Sequence, residues 1–178
     1  MTKDPGKVFV WPPPERGLGL SIHIPSSLVS VEHGIAKRTM VLGLVARAAA
    51  IFRVRKIRVY RDPGSSARDL IFVKKILEYM ASPPYLRKKL FKIDRDLRAV
   101  GILPPLATAS HATEEDLARE HIRPALALSV DSRNICLEAG LARIVCLDAS
   151  KAKWVRKGDL VYVVVTPNGS ISRLATQR

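Results

Sequence analysis

Two proline pairs, Pro83-Pro84 and Pro104-Pro105, fence one cationic segment and split the sequence into halves of different hydrophobic period. Before the fence, apolar residues recur at helical spacing between short extended runs. After it, they alternate in short runs separated by turns. A helical period does not suit a strand, nor a strand period a helix, so the two halves must build different architectures. The prolines also set local geometry. A proline at the first helical position loses no needed donor, so Pro83-Pro84 can open a helix. Pro104-Pro105 forces an extended path and closes the segment.

The first half reads as strand, helix, strand, helix. Residues 18–24 alternate and stop at Pro25, which predicts a strand. Ser26, Ser27 and Ser30 offer caps to a helix over residues 34–52, with Ile35, Met40, Val41, Leu44, Val45, Ala48 and Ile51 along one side. Residues 57–60 make a second strand, and Asp62-Pro63-Gly64-Ser65-Ser66 a turn. Residues 67–80 make a second helix with Leu70, Val73, Ile76, Leu77 and Met80 on its stripe. This order implies a βαβ unit and a parallel sheet. Side chains alternate along a strand, so Lys56, Arg58 and Tyr60 share one face, and Ile57 and Val59 the other. A buried parallel strand is usually apolar on both faces. One face of this sheet is therefore expected to be open, or covered by a partner.

The second half reads as five short strands, at residues 125–130, 134–138, 142–147, 159–166 and 170–174. Asp131-Ser132-Arg133, Ala139-Gly140 and Pro167-Asn168-Gly169 turn the chain between them. That pattern predicts a small β-barrel of the OB type. Residues 108–120 are polar and read as loop or one helical turn. Residues 1–17 read as an extended arm. Pro12, Pro13 and Pro14 favour polyproline geometry after Val8, Phe9, Val10 and Trp11, either as a disordered terminus or as an arm that orders on a partner.

Charge narrows the partners. The formal net charge is +14 and the pI about 10.3, yet 47% of residues are hydrophobic. A chain with that apolar content folds. A folded domain with that excess charge repels itself unless it meets a polyanion. Nucleic acid leads. An anionic membrane comes second, without an amphipathic helix bearing interfacial aromatics to support it. There is no apolar run of membrane-spanning length and no signal-peptide core, so a cytoplasmic protein is expected. Cys136 and Cys146 sit on neighbouring predicted strands and read as two small buried thiols rather than a disulfide. A zinc site would need two more ligands.

The basic residues form three groups. Arg53, Arg55, Lys56, Arg58 and Arg61 cluster around the second strand. Arg87, Lys88, Lys89, Lys92, Arg95 and Arg98 fill the fenced segment, offset only by Asp94 and Asp96 and anchored by Tyr85, Leu86, Leu90, Phe91, Ile93 and Leu97. Lys151, Lys153, Arg156 and Lys157 surround Trp154 in a barrel loop, where the ring either stacks on a base or packs. A basic surface pinned by buried residues suits a phosphate backbone, against the usual reading of a solvated helix face. His111 and His121 read as surface histidines. Glu114, Glu115 and Asp116 suit the first turn of a helix. There is no GxSxG, P-loop or HExxH motif.

Four blocks carry a resemblance: LSIHIPSSL at residues 20–28, ARAAAIFRVRKIRVYRD at 46–62, ILEYMASPPYLRKKLFKID at 76–94 and VGILPPLATASH at 100–111. The chain resembles the SPOUT class, the trefoil-knot RNA methyltransferases. More narrowly, it resembles the archaeal and eukaryotic family whose knotted domain carries an inserted OB-like domain. The resemblance implies an α/β fold: a truncated SPOUT-like parallel-sheet domain over residues 18–111, then an OB-like barrel over 112–178. In that family, knotted loops after the barrel bind S-adenosylmethionine. Here the sequence ends at Arg178 after the last predicted strand, so the expectation is that this chain alone has no such site and no cofactor. Half of a split protein is the other possibility. Arg47 matches an arginine that in some SPOUT enzymes lies near the target ribose. Without a methyl donor it reads as a surface arginine or a phosphate contact. Arg53 stands where the family usually has glycine. Of a Pro-His-His-Pro-like stretch, only His111 remains.

The favoured reading is a non-catalytic RNA-binding protein derived from a SPOUT methyltransferase. It would be an archaeal ribosomal protein, monomeric on ribosomal RNA beside other ribosomal proteins. The alternatives are a methyltransferase, or part of one, and a transient ribosome-assembly factor.

Overall fold

The structure, a computed structural model, describes residues 17–104, 106 and 119–175. The arm at residues 1–16 lies outside the described residues, as do residues 107–118 with His111 and the Glu114–Asp116 acids. The chain forms two compact units, Met1–Ala81 with Ile93–Ala107 and Ser82–Lys92 with Thr108–Arg178.

In the first unit, β1 (Ser21–Pro25) and β2 (Lys56–Tyr60) pair in parallel, with His23 opposite Arg58 and Ile24 opposite Val59. The crossover between them is α1 (Ile35–Ile51), and α2 (Ala67–Ala81) follows β2. Ile24, Ile57 and Val59 pack on a core of Val29, Leu42, Ala46, Phe72, Val73, Ile76, Leu77 and Met80. The helices therefore cover the apolar face of the sheet.

The serines after β1 do not cap α1. Residues Ser26–Val29 form a 3-10 turn, and the buried Ser26 hydroxyl donates to Ser65 Oγ at 2.7 Å. Gly34 is the N-cap, at φ 86° and without a side-chain bond. The predicted stripe of α1 is also displaced. Thr39, Leu42, Gly43, Ala46 and Ala49 are buried, while Met40, Leu44 and Ile51 are exposed. This helix is apolar almost all round, so its period does not select a face. Close packing does: a Cβ on Gly43 would lie 2.6 Å from Leu103 Cδ2. The small residues take the tight side. The α2 stripe holds at Val73, Ile76, Leu77 and Met80. Its first turn is capped reciprocally: Asp69 N donates to Ser66 Oγ at 3.1 Å, and Ser66 N donates to Asp69 Oδ2 at 2.9 Å.

The second unit is a five-stranded antiparallel sheet of β3 (His121–Val130), β4 (Asn134–Glu138), β5 (Val145–Asp148), β6 (Leu160–Val165) and β7 (Ile171–Leu174), in the order β5-β4-β3-β6-β7. β3 begins earlier than its pattern suggested. It pairs with β6 over His121–Leu126 and with β4 from Leu126 onward, and its pairing with β4 shifts register between Ala127 and Ser129. Such an irregularity bends a strand. Leu147 from one edge strand and Leu174 from the other reach the same core of Ala125, Ala127, Ile135, Leu137, Val161, Val163 and Val165. The sheet thus curls into a barrel-like form. The α/β class with a parallel sheet and a barrel-like second part is what the structure shows.

Two expectations change here. Cys136 and Cys146 face each other across β4 and β5 and form a disulfide, with Cys146 exposed. Facing positions on antiparallel strands bring the two sulfurs together, which strand spacing in the sequence does not reveal. In addition, α3 (Pro84–Leu90), opened by the proline pair as predicted, belongs to the second unit. The Tyr85 hydroxyl donates to the Pro124 carbonyl at 2.8 Å, and Arg123 Cζ lies 4.7 Å from the ring centroid. Burial raises the Tyr85 phenol above its ordinary pKa, opposed by Arg123.

Among the described residues, no helix is long and apolar enough to cross a membrane. Nor does any group of three His, Cys, Asp or Glu residues among them suit a metal ion.

Candidate nucleic-acid interface

Among the described residues, helices pack on one face of the first unit's sheet, and the side chains of the other face are exposed. β2 alternates as its sequence requires: Lys56, Arg58 and Tyr60 are exposed, whereas Ile57 and Val59 are half-buried. β1 adds Ser21 and His23 to the exposed side. In a parallel pair, register partners stand on the same face. His23 and Arg58 are such partners, and the Arg58 guanidinium donates to His23 Nε2 at 3.3 Å. Sequence reasoning missed His23. The polar–apolar alternation of Ser21, Ile22, His23 and Ile24 was the signal that could have found it.

Further basic side chains belong to the same unit. Arg55 is exposed, and a Cβ on Gly19 would come within 2.7 Å of its Cδ, so its side chain lies along the backbone at Gly19. Arg61 is exposed just after β2, and Arg47 on α1. Arg53 has the only positive φ, 50°, among described non-glycine residues. Its backbone explains this. Val54 N bonds to Ala49 O at 2.8 Å, and Arg53 N to Ala50 O at 3.1 Å. Those two bonds close the end of α1 in a Schellman motif, whose left-handed position normally takes glycine.

The fenced cationic segment is divided between the two units. Arg87, Lys88 and Lys89 lie on α3, with Lys92 following, in the second unit; Arg95 and Arg98 belong to the first. Lys88, Lys89, Lys92, Arg95 and Arg98 are exposed. Arg87 is half-buried and donates Nε–H to the Ser82 carbonyl at 3.1 Å. Leu86 is buried as an anchor should be, but Ile93 is fully exposed. The acids counted against this segment are engaged elsewhere. Lys75 Nζ on α2 donates to Asp94 and to Asp96, each at 2.7 Å. The Lys75 bond, and then the Asp96 amide, hold the Asp94 carboxyl below its ordinary range. Both carboxylates thus pin the 3-10 turn Arg95–Leu97 to α2, and the exposed arginines keep their field.

A cleft of about 270 Å³ lies between Gly34, Arg38, Arg68, Asp69, Asp96 and Arg98. Its charges largely face one another: Arg38 meets Asp69 at 3.5 Å, and Arg68 meets Asp96 at 4.0 Å.

In the second unit, Lys153, Trp154, Arg156 and Lys157 are exposed in the loop before β6. Trp154 retains 63% exposure, so it is not a core residue. Lys151 ends the 3-10 turn Ala149–Lys151. The geometry offers fixed backbone, exposed guanidinium and ammonium groups, and exposed aromatic rings, Tyr60 in the first unit and Trp154 in the second among them. It can bind phosphates and stack a base.

Comparison with known proteins gives the family. The model of the family described as "Putative RNA methyltransferase" matches residues 19–175. An uncharacterized protein of Haloarcula marismortui is 34% identical over 149 residues, covering 82% of this chain and 53% of its own length. One from Halobacterium salinarum is 32% identical over 148 residues, covering 82% and 52%. The human 28S rRNA (uridine-N(3))-methyltransferase is 31% identical over 115 residues, covering 57% of this chain and 31% of the human protein. The chain thus spans about half the length of the haloarchaeal relatives, and less of the human one. With the family match running from β1 to β7, this chain belongs to the SPOUT-type RNA methyltransferase family.

Proposed function

We propose that this chain binds ribosomal RNA as a non-catalytic component of the ribosome. It is an archaeal ribosomal protein, cytoplasmic, monomeric on RNA and set among other ribosomal proteins. The observation that carries RNA binding is the open sheet face, where Lys56, Arg58 and Tyr60 are exposed on the side opposite the helices. Arg55 and Arg61 adjoin that strand, and Arg47, Arg53, Arg95 and Arg98 are further RNA contacts of the same unit. In the second unit the RNA contacts are Arg87, Lys88, Lys89 and Lys92 on and after α3, and Lys153 and Arg156 before β6, with Lys151 preceding them in sequence. The ribosomal assignment is supported by the family and by the 28S rRNA activity in the names of its animal relatives. The net charge of +14 supports lasting occupancy, since it is compensated only while a polyanion is bound.

One observation favours a second reading. The animal relatives are named as methyltransferases, and the chain covers 25–31% of their length in the two fly and human cases. On that reading the same surface holds the RNA, and catalysis comes from sequence beyond this chain.

Sedimentation of the tagged protein from native lysate separates the two. Salt-resistant migration at about one copy per ribosomal subunit is the expected result. Substoichiometric migration, with methyl-donor binding by the native assembly, would replace the first reading by the second. Reversing charge at Lys88 and Lys89 should weaken RNA binding with little sequence dependence.

A further inference from the structure

The loop between Ala149–Lys151 and β6 is short and firmly held. Ala152 and Val155 are buried in the barrel core, at 2% and 3% exposure. Val155 N bonds to Ala152 O at 3.0 Å, and Asp159 N to Arg156 O at 3.0 Å. The Asp159 carboxylate accepts from Arg156 N at 2.8 Å, and Gly158 N bonds to Ala127 O at 2.8 Å. Between the two buried anchors, Lys153 and Trp154 face outward.

We propose that Trp154 is a stacking platform for an unpaired RNA base, which makes the second unit a reader of single-stranded or bulged RNA. This rests on the RNA-binding reading above and specifies the RNA it takes. A ring in the middle of a rigid, anchored loop loses little freedom when a base settles on it. Its neighbours Lys153, Arg156 and Lys157 are all exposed cations, which suits a phosphate chain running past the ring. A protein-docking site would call for contiguous apolar surface around the ring. Inside a duplex both faces of a base pair are covered by its stacked neighbours, so the ring serves unpaired nucleotides.

The test compares Trp154→Ala, Trp154→Phe and the parent, all in a Trp11→Phe background. Probes are a mixed-sequence single-stranded RNA and a blunt duplex with the same number of phosphates. Stacking predicts quenching of Trp154 emission by the single strand. It also predicts a roughly 5- to 150-fold loss of single-strand affinity in the alanine variant. The phenylalanine variant should keep most of that affinity, and duplex affinity should not change. Equal losses on both probes, or none on either, would overturn the platform and leave RNA binding intact. If the parent binds neither probe, the RNA-binding reading falls as well. Native-like near-ultraviolet dichroism of each variant checks folding.

Discussion

The Tyr85 ring occupies the space that a side chain at Gly140 would need: a Cβ there would lie 2.5 Å from Tyr85 Cγ. Gly140 also sits at φ 67°, where L residues are strained. Both effects oppose substitution. Gly140→Ala should destabilise the chain by about 2–4 kcal/mol in urea unfolding. Tyr85→Phe keeps the ring and loses the hydroxyl, with its bond to the Pro124 carbonyl and its interaction with Arg123, so about 1 kcal/mol is expected. Equal effects would mean that the ring contact is not what holds α3 to the barrel.

Arg53 should show opposed effects on stability and binding. Its left-handed backbone costs about 1–2 kcal/mol relative to glycine, partly offset by glycine's larger unfolded-state entropy. Arg53→Gly should therefore raise the midpoint of thermal unfolding slightly. With Arg53 in the proposed interface, RNA affinity should fall as its charge is removed. A variant that gains stability and keeps full affinity would remove Arg53 from the interface.

Much of this was legible in the residues. The alternation of Lys56–Tyr60 gave both strand and faces, because a strand's period leaves no second choice once Ile57 and Val59 must be buried. The stripe of α2 was legible for the same reason. That of α1 was not, because the helix is apolar on nearly every side and its burial is set by Leu103 and Pro104, sixty residues away. Long-range pairings were equally hidden. Nothing local links Lys75 to Asp94 and Asp96, Tyr85 to Pro124, or Cys136 to Cys146. Each depends on a register or packing that only the folded chain fixes. The basic residues were found by type, but their division between two units follows from the fold.

The Cys136–Cys146 disulfide closes a short loop, with a sequence separation of 10. Restricting a loop of that length in the unfolded chain is worth about 2–3 kcal/mol. Reduction, or a Cys136→Ser/Cys146→Ser double variant, should lower the stability of the barrel by up to that amount. No difference between oxidised and reduced protein in guanidinium unfolding would contradict this.

The acid limb of stability should depend on Lys75. The folded Asp94 carboxyl is held below its ordinary value of 3.8, first by Lys75 and then by the Asp96 amide. A depressed folded pKa contributes stability above the unfolded value, and this is lost as pH falls through the folded one. Lys75 is shifted upward by the same two acids, so its contribution is present below its unfolded pKa and fades only in strong alkali. Stability at Lys75 should thus be level near neutrality and decline below about pH 4. Lys75→Met should flatten that decline in thermal scans across acidic pH. An unaltered acid slope would mean that other carboxylates, such as Asp62 and Asp69, carry it.

The most direct test of RNA binding through the open sheet face compares two reversals of equal charge. Lys56→Glu places it on that face, whereas Lys74→Glu places it on α2, where Lys74 is 68% exposed beside Glu78. Equilibrium binding to ribosomal RNA is measured over a range of salt. Binding through that face predicts weaker affinity for Lys56→Glu and a log–log salt slope shallower by about one, with little change for Lys74→Glu. Equal losses for the two variants, or none for either, would contradict it.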